Sequence, residues 1–197
     1  MLDIYLESNH LILSNKRRCN HLLALEKYTE ENIIDFLISL HIVLEASLNS
    51  LFRRLTIEQI KKLVGPLEVI KNLDNISFMD KTTLFIYNSN FDFGDRVSEA
   101  TKYHKIIGKI KQFSEVRNKL LHGHSISTLF PHEGPKKASE MRALLSEEYV
   151  KEQIERFKFI LEGMRFYIDC LEGNFINPKG KEYLKKEFLS DNFFEEV

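Results

Sequence analysis

Cysteine is scarce in this chain, and that scarcity bounds the protein before any motif is read. Only Cys19 and Cys170 are present among 197 residues, far apart and without metal-ligand spacing. Two such residues suit a reducing cytosol better than a disulfide scaffold. An excess of one charge is missing too. The formal net charge is −1, so the molecule as a whole is not drawn to nucleic acid, and any such affinity must be local. Long apolar runs are absent: the strongest, 36–44, is closed by Asp35 and Glu45 and is too short to span a bilayer. Asp3 and Glu7 stand where a secretory signal would place basic residues. The chain has no glycine-rich phosphate loop, no internal repeat and no low-complexity tract. A cytoplasmic protein with no membrane segment is expected.

The 43% hydrophobic content is enough to bury one core, so a single domain over 1–197 is expected. Apolar spacing predicts an all-α fold. Residues 2–27 read as helix without a clean period. Thr29 can cap a helix over 29–55, where Ile34, Leu37, His41, Leu44, Leu48, Leu51 and Leu55 repeat at helical intervals. Thr56 with Gln59 gives a capping-box pattern for a short helix ending at Gly65-Pro66. Short helical pieces and turns are expected over 66–93. A long helix over 95–121 follows, then a loop marked by Pro131, Gly134 and Pro135. Val150, Ile154, Phe157, Leu161, Met164, Ile168 and Leu171 form a heptad pattern in a third long helix, and a short charged helix is expected after Pro178. Three long amphipathic helices with shorter ones around them make an antiparallel helical bundle.

The most informative stretch is Arg117-Asn118-Lys119-Leu120-Leu121-His122-Gly123. Arg117 continues the apolar stripe of Tyr103, Ile106, Ile110 and Phe113, a slot where a guanidinium is costly unless an anion meets it. The helix over 29–55 has a matching anomaly, because His41, Glu45 and Asn49 step by four into a polar line along its apolar surface. A Glu45–Arg117 pair would satisfy both charges. Such a pair reads equally as a core ion pair with no further role, and Glu45 can instead point to solvent. On an ideal helix Arg117 and His122 lie about 140° apart, so they converge only where the helix ends, as Gly123 allows, or across a two-fold interface. The helix C-terminus favours imidazolium, which suits His122 to proton transfer.

Around the motif the chain is basic: Lys102, Lys105, Lys109, Lys111, Arg117 and Lys119 face only Glu115, with His104, His122 and His124 added. The lysines read equally as a solvated face. An arginine for phosphate charge, a histidine for the proton and an amide at Asn118 suit RNA cleavage without metal, the 2′-hydroxyl being the nucleophile. Lys111, Lys119 and His124 are candidate RNA contacts. His122, His124 and His132 are not interleaved with carboxylates, so neither metal nor cofactor is expected. A helix-turn-helix DNA reader is also not expected, since no short basic helix follows a tight glycine turn.

The stretch from Arg117 to His122 resembles the signature of the HEPN superfamily, an arginine and a histidine four to six residues apart with a polar residue after the arginine. The text Leu44-Glu45-Ala46-Ser47-Leu48-Asn49 is similar to the earlier helix of such domains, whose acid faces the arginine. The likeness covers about 29–173, with 174–197 a helical extension. It implies a four- or five-helix bundle, usually a homodimer with two motifs in a shared cleft. Arg117, Asn118 and His122 would be catalytic and Glu45 supporting. Many members are metal-independent endoribonucleases of toxin–antitoxin, antiviral defence or RNA-processing systems, with an antitoxin or regulatory protein as partner. Others are inactive RNA-binding or protein-interaction scaffolds, the alternative reading here. In one subgroup a tyrosine two residues after the histidine is modified by a nucleotidyltransferase antitoxin. His124 stands at that position, which argues against that form of control.

Overall fold

The computed structural model describes residues 2–60, 76–121, 145–172 and 178–188. Among these the secondary structure is helical, with no strand beyond an isolated antiparallel bridge between Phe91 and Leu171. The elements are α1 (Leu2–Leu23), α2 (Glu30–Ile60), α3 (Phe78–Asn88), a 3₁₀ turn at Gly94–Arg96, α4 (Val97–Tyr103), α5 (Ile106–Leu121), α6 (Glu147–Cys170) and α7 (Pro178–Phe188).

The longest helix is the axis of the bundle. α2 begins where Thr29 Oγ1 accepts the Asn32 backbone N–H at 3.2 Å, the cap expected from sequence. It then runs unbroken through Thr56 to Ile60, so no separate helix starts at the Thr56 pattern. The alternative cap is overridden because the preceding turns already supply the carbonyls that its N–H groups need. Leu40, Leu44, Leu48 and Leu51 are fully enclosed, each such side chain contributing about 1.5–3 kcal/mol through burial. By length and composition alone, Glu30–Phe52 could cross a bilayer. In the bundle its stripe is the core against which α1, α3, α5, α6 and α7 pack.

α1 packs antiparallel along α2, and Cys19 and Leu22 belong to the common core. The segment before Thr29 is therefore part of the folded unit. α3 starts at Ser77, whose Oγ accepts the Asp80 N–H at 3.1 Å and donates to the Asp80 carboxylate at 2.7 Å. This reciprocal cap sets Phe78 and Lys81 one turn apart against α2 and α5.

The single helix expected over 95–121 is broken. Residues 104 and 105 form a turn between α4 and α5. There the His104 ring donates from Nδ1 to the Thr101 carbonyl, an acceptor that an uninterrupted helix would offer to the Lys105 N–H. Beyond the turn α5 lies antiparallel to α6. Gly163 meets Ile106, and Phe113 meets Phe157 with ring centroids 6.2 Å apart. α6 is capped by Ser146, whose Oγ accepts the Tyr149 N–H at 3.2 Å. Its inward face differs from the expected heptad in one place, where Gln153 is 1% exposed and Ile154 only half-buried. At the far end of α6 the Lys181 ammonium of α7 donates to the carbonyls of Asp169, at 2.9 Å, and Leu171. These are carbonyls that a helix end leaves without backbone partners.

Gly163 permits a close approach of α4 and α5 to α6. A Cβ built there would lie 2.6 Å from Ile106 Cδ1 and 3.0 Å from Tyr103 Cδ1. Replacing Gly163 by Val is expected to lower stability by about 1–3 kcal/mol through overpacking, read as a reduced urea midpoint. An unchanged midpoint would mean that α4 and α5 do not bear on this residue.

Candidate functional site

α2 and α5 run parallel where their polar residues meet. His41 is 2% exposed, stacked on Phe113 of α5 at 5.7 Å and 15° and set edge-on to Phe78 of α3 at 5.9 Å. One turn further along both helices stand Glu45 and Arg117. The polar line of α2 therefore runs along the side facing α3 and α5, with Glu45 and Asn49 only half-buried, and its three members have different partners. His41 Nε2 lies 3.2 Å from Glu45 Oε2, and Asn49 Oδ1 accepts from Lys81 Nζ at 2.9 Å.

The Glu45 carboxyl is held below its ordinary pKa, first by the hydrogen bond from His41 and then by the positive charges of His41, Arg117 and Lys81, against an opposing effect of burial. It is accordingly a carboxylate at neutral pH, and a carboxylate only accepts. The proton of the His41 contact is therefore on Nε2. The other ring nitrogen, Nδ1, is buried and has no hydrogen-bond partner among the described residues.

Arg117 is half-buried. The inward position that the apolar stripe assigned to it is taken by Val116, which is 7% exposed. The expected buried ion pair is thus not the arrangement found. Glu45 bonds to His41, and the Arg117 charge acts on it from the rim of the bundle, where a guanidinium keeps part of its hydration. Arg117 Nη1 donates to Asn118 Oδ1 at 3.0 Å. That bond occupies one of five guanidinium donors and fixes the side chain beside an exposed amide. The chemistry available is anion binding at the end of α5 by an arginine whose charge is balanced from behind by a carboxylate.

The remaining sequence-assigned residues are placed unevenly. Lys111 is exposed on α5. His122 and His124 lie outside the described residues, as does the Lys119 side chain, so their geometry relative to Arg117 is not described. His41 and Lys81 are the additions. His41 was visible as a polar residue in a core slot. Lys81 carried no signal, since nothing in its local sequence points to Glu45. Among the described residues no group of three His, Cys, Asp or Glu side chains is placed to hold a metal ion. A depression lined by Phe91, Asp92, Asp169, Cys170, Leu171, Glu172 and Lys181 lies at the far end of α6, away from Arg117, and Lys181 already serves the helix carbonyls there.

No family model, curated protein or solved structure matches this chain.

The lowered pKa of Glu45 has a definite sign in stability. The carboxylate contributes stability above its unfolded pKa, and that contribution is lost as pH falls through the folded value. Urea unfolding of wild type and Glu45→Gln should therefore differ most at neutral pH and converge as pH falls below the ordinary glutamate range. A gap that stays constant with pH would contradict the charge-based account of this carboxylate.

Proposed function

We propose that this chain is a metal-independent endoribonuclease of HEPN type, active as a homodimer. The observation that carries the reading is the placement of Arg117: half-buried at the end of α5, beside the exposed Asn118 amide, with the Glu45 carboxylate close enough to feel its charge. A purely structural pair would be sealed in the core, whereas this guanidinium is braced from inside and open at the rim. That is the arrangement an oxyanion needs, with charge fixed in place before the substrate arrives.

In the proposed reaction the RNA supplies its own nucleophile. The 2′-hydroxyl attacks the adjacent phosphorus, its proton leaves to a base, and the P–O5′ bond breaks with proton return to the departing 5′-oxygen. Arg117 neutralises charge growing on the non-bridging oxygens, and Asn118 keeps the guanidinium in line. His122, one residue beyond the end of α5 in sequence, moves the proton. The products are a 2′,3′-cyclic phosphate and a 5′-hydroxyl. Exposed lysines such as Lys105 and Lys111 on the same segment add local attraction to the backbone of RNA in a protein that is otherwise nearly neutral.

The decisive variant is Arg117→Met. Loss of an electrostatic stabiliser of this kind costs roughly 10²–10³ in rate. Since Arg117 is at the rim, the thermal midpoint should stay close to that of wild type. Cleavage of single-stranded and transfer RNAs in EDTA, followed on a gel beside a melt, checks both. A variant that fails to fold would make Arg117 structural first. Wild-type binding without cleavage would favour an RNA-binding scaffold.

A further inference from the structure

His41 is almost fully enclosed, 2% exposed, yet both a ring nitrogen and a ring face are used. One nitrogen bonds to the Glu45 carboxylate at 3.2 Å, one face stacks on Phe113, and Phe78 closes its edge. Phe113 is one helical turn before Arg117 on the same face of α5. A closed circuit results, running from His41 to Glu45 within α2, from Glu45 by charge to Arg117 on α5, back along α5 to Phe113, and across to His41. We propose that His41 is a positioning residue for Arg117, acting through Glu45 and through its stack on Phe113. Such a residue would present the guanidinium to the phosphodiester of an RNA substrate. The inference rests on the ribonuclease reading of this site, but its geometric part can be decided without it.

The cost of the arrangement supports a role beyond filling space. Nδ1 is buried without a partner among the described residues, an arrangement that ordinarily costs stability. A leucine would fill the slot without that penalty, as Leu44 and Leu48 do one and two turns further on. What a leucine could not supply is the Nε2–H that holds one carboxylate oxygen of Glu45. A carboxylate with 36% of its side chain exposed and no such bond would rotate among its rotamers and follow the nearest cation. With the bond it is a fixed charge against which Arg117 orients. Lys81 also acts on this carboxylate, from α3, so the bond from His41 is what keeps Glu45 from being drawn to one cation alone.

Three variants of the full chain separate positioning from packing: His41→Leu, His41→Gln and Glu45→Gln. Glutamine can place its Nε2–H near that of the imidazole, so it keeps the bond while losing the stack. Two readouts are taken, cleavage of single-stranded RNA in EDTA and the Arg117 Nε–H resonance in ¹⁵N-labelled protein. The expected result is that His41→Leu melts at or above wild type but loses roughly 10- to 100-fold in cleavage, the scale of a misplaced group in an active site. His41→Gln should recover most of that loss, and His41→Leu combined with Glu45→Gln should be no worse than Glu45→Gln alone. The Arg117 Nε–H signal should broaden or exchange faster in His41→Leu and return in His41→Gln. The proposal is overturned if His41→Leu leaves the Arg117 signal unchanged, or if His41→Gln falls as far as His41→Leu in both readouts. If wild type cleaves no RNA, the ribonuclease reading fails, and the Arg117 resonance alone then decides the positioning claim. Should His41→Leu not fold, the comparison of His41→Gln with Glu45→Gln on the same resonance decides it.

Discussion

The stack of His41 on Phe113 is the contact around which this bundle is arranged. It joins the longest helix to the helix that carries the arginine motif, and it sets their relative register in a parallel pair that no short loop could impose. From it the other placements follow. α3 is held by Phe78 against the same imidazole, and α6 reaches the same contact through Phe157, whose ring lies against Phe113. Glu45 and Arg117 fall into proximity because each lies one turn beyond a residue of that contact. A polar ring at the centre of a bundle narrows the set of acceptable packings, because its nitrogens are costly wherever they are not answered. Here one is answered, and the answer is the carboxylate on which the Arg117 charge acts.

Much of this was legible in the sequence, and the reason is periodicity. The stripe of Tyr103, Ile106, Ile110, Phe113 and Leu120 is buried as its spacing required, and so is most of the stripe on α2 from Leu37 to Leu51. The cap at Thr29 and the charged helix after Pro178 are present too. What escaped depended on choices that periodicity leaves open. On a helix both the third and fourth residue after Phe113 lie near its face. Spacing alone could not say that Val116 would turn in and Arg117 out, although desolvation decides it. Gln153 in place of Ile154 is the same ambiguity, resolved in this case toward the polar residue. The break at residues 104 and 105 turns on one imidazole taking a backbone carbonyl, a competition that composition does not reveal.

The candidate site was legible only in part, for a different reason. Arg117 and Glu45 stood out because each is a charge in an apolar pattern, and such exceptions carry information wherever the pattern is strong. Lys81 stands in a short amphipathic helix like any solvated lysine, and its relation to Glu45 comes from how α3 crosses α2 and α5. Tertiary proximity of that kind has no local signature. The resulting site differs from a simple ion pair in having layers. An imidazole is sealed in aromatic rings, a carboxylate is half-buried in front of it, and a guanidinium at the rim is tied to an amide. The imidazole is sealed, while the carboxylate and the guanidinium are both partly open to solvent.

The most direct test of the central claim is the chemistry of the RNA ends. Purified wild-type chain and His122→Ala are incubated with single-stranded and transfer RNAs in EDTA, and the products are examined for terminal groups. The account predicts cleavage by wild type leaving 2′,3′-cyclic phosphates and 5′-hydroxyls, and its disappearance in His122→Ala. Products bearing 5′-phosphates, or cleavage that persists undiminished in the variant, would contradict a metal-independent attack by the 2′-hydroxyl with His122 moving the proton.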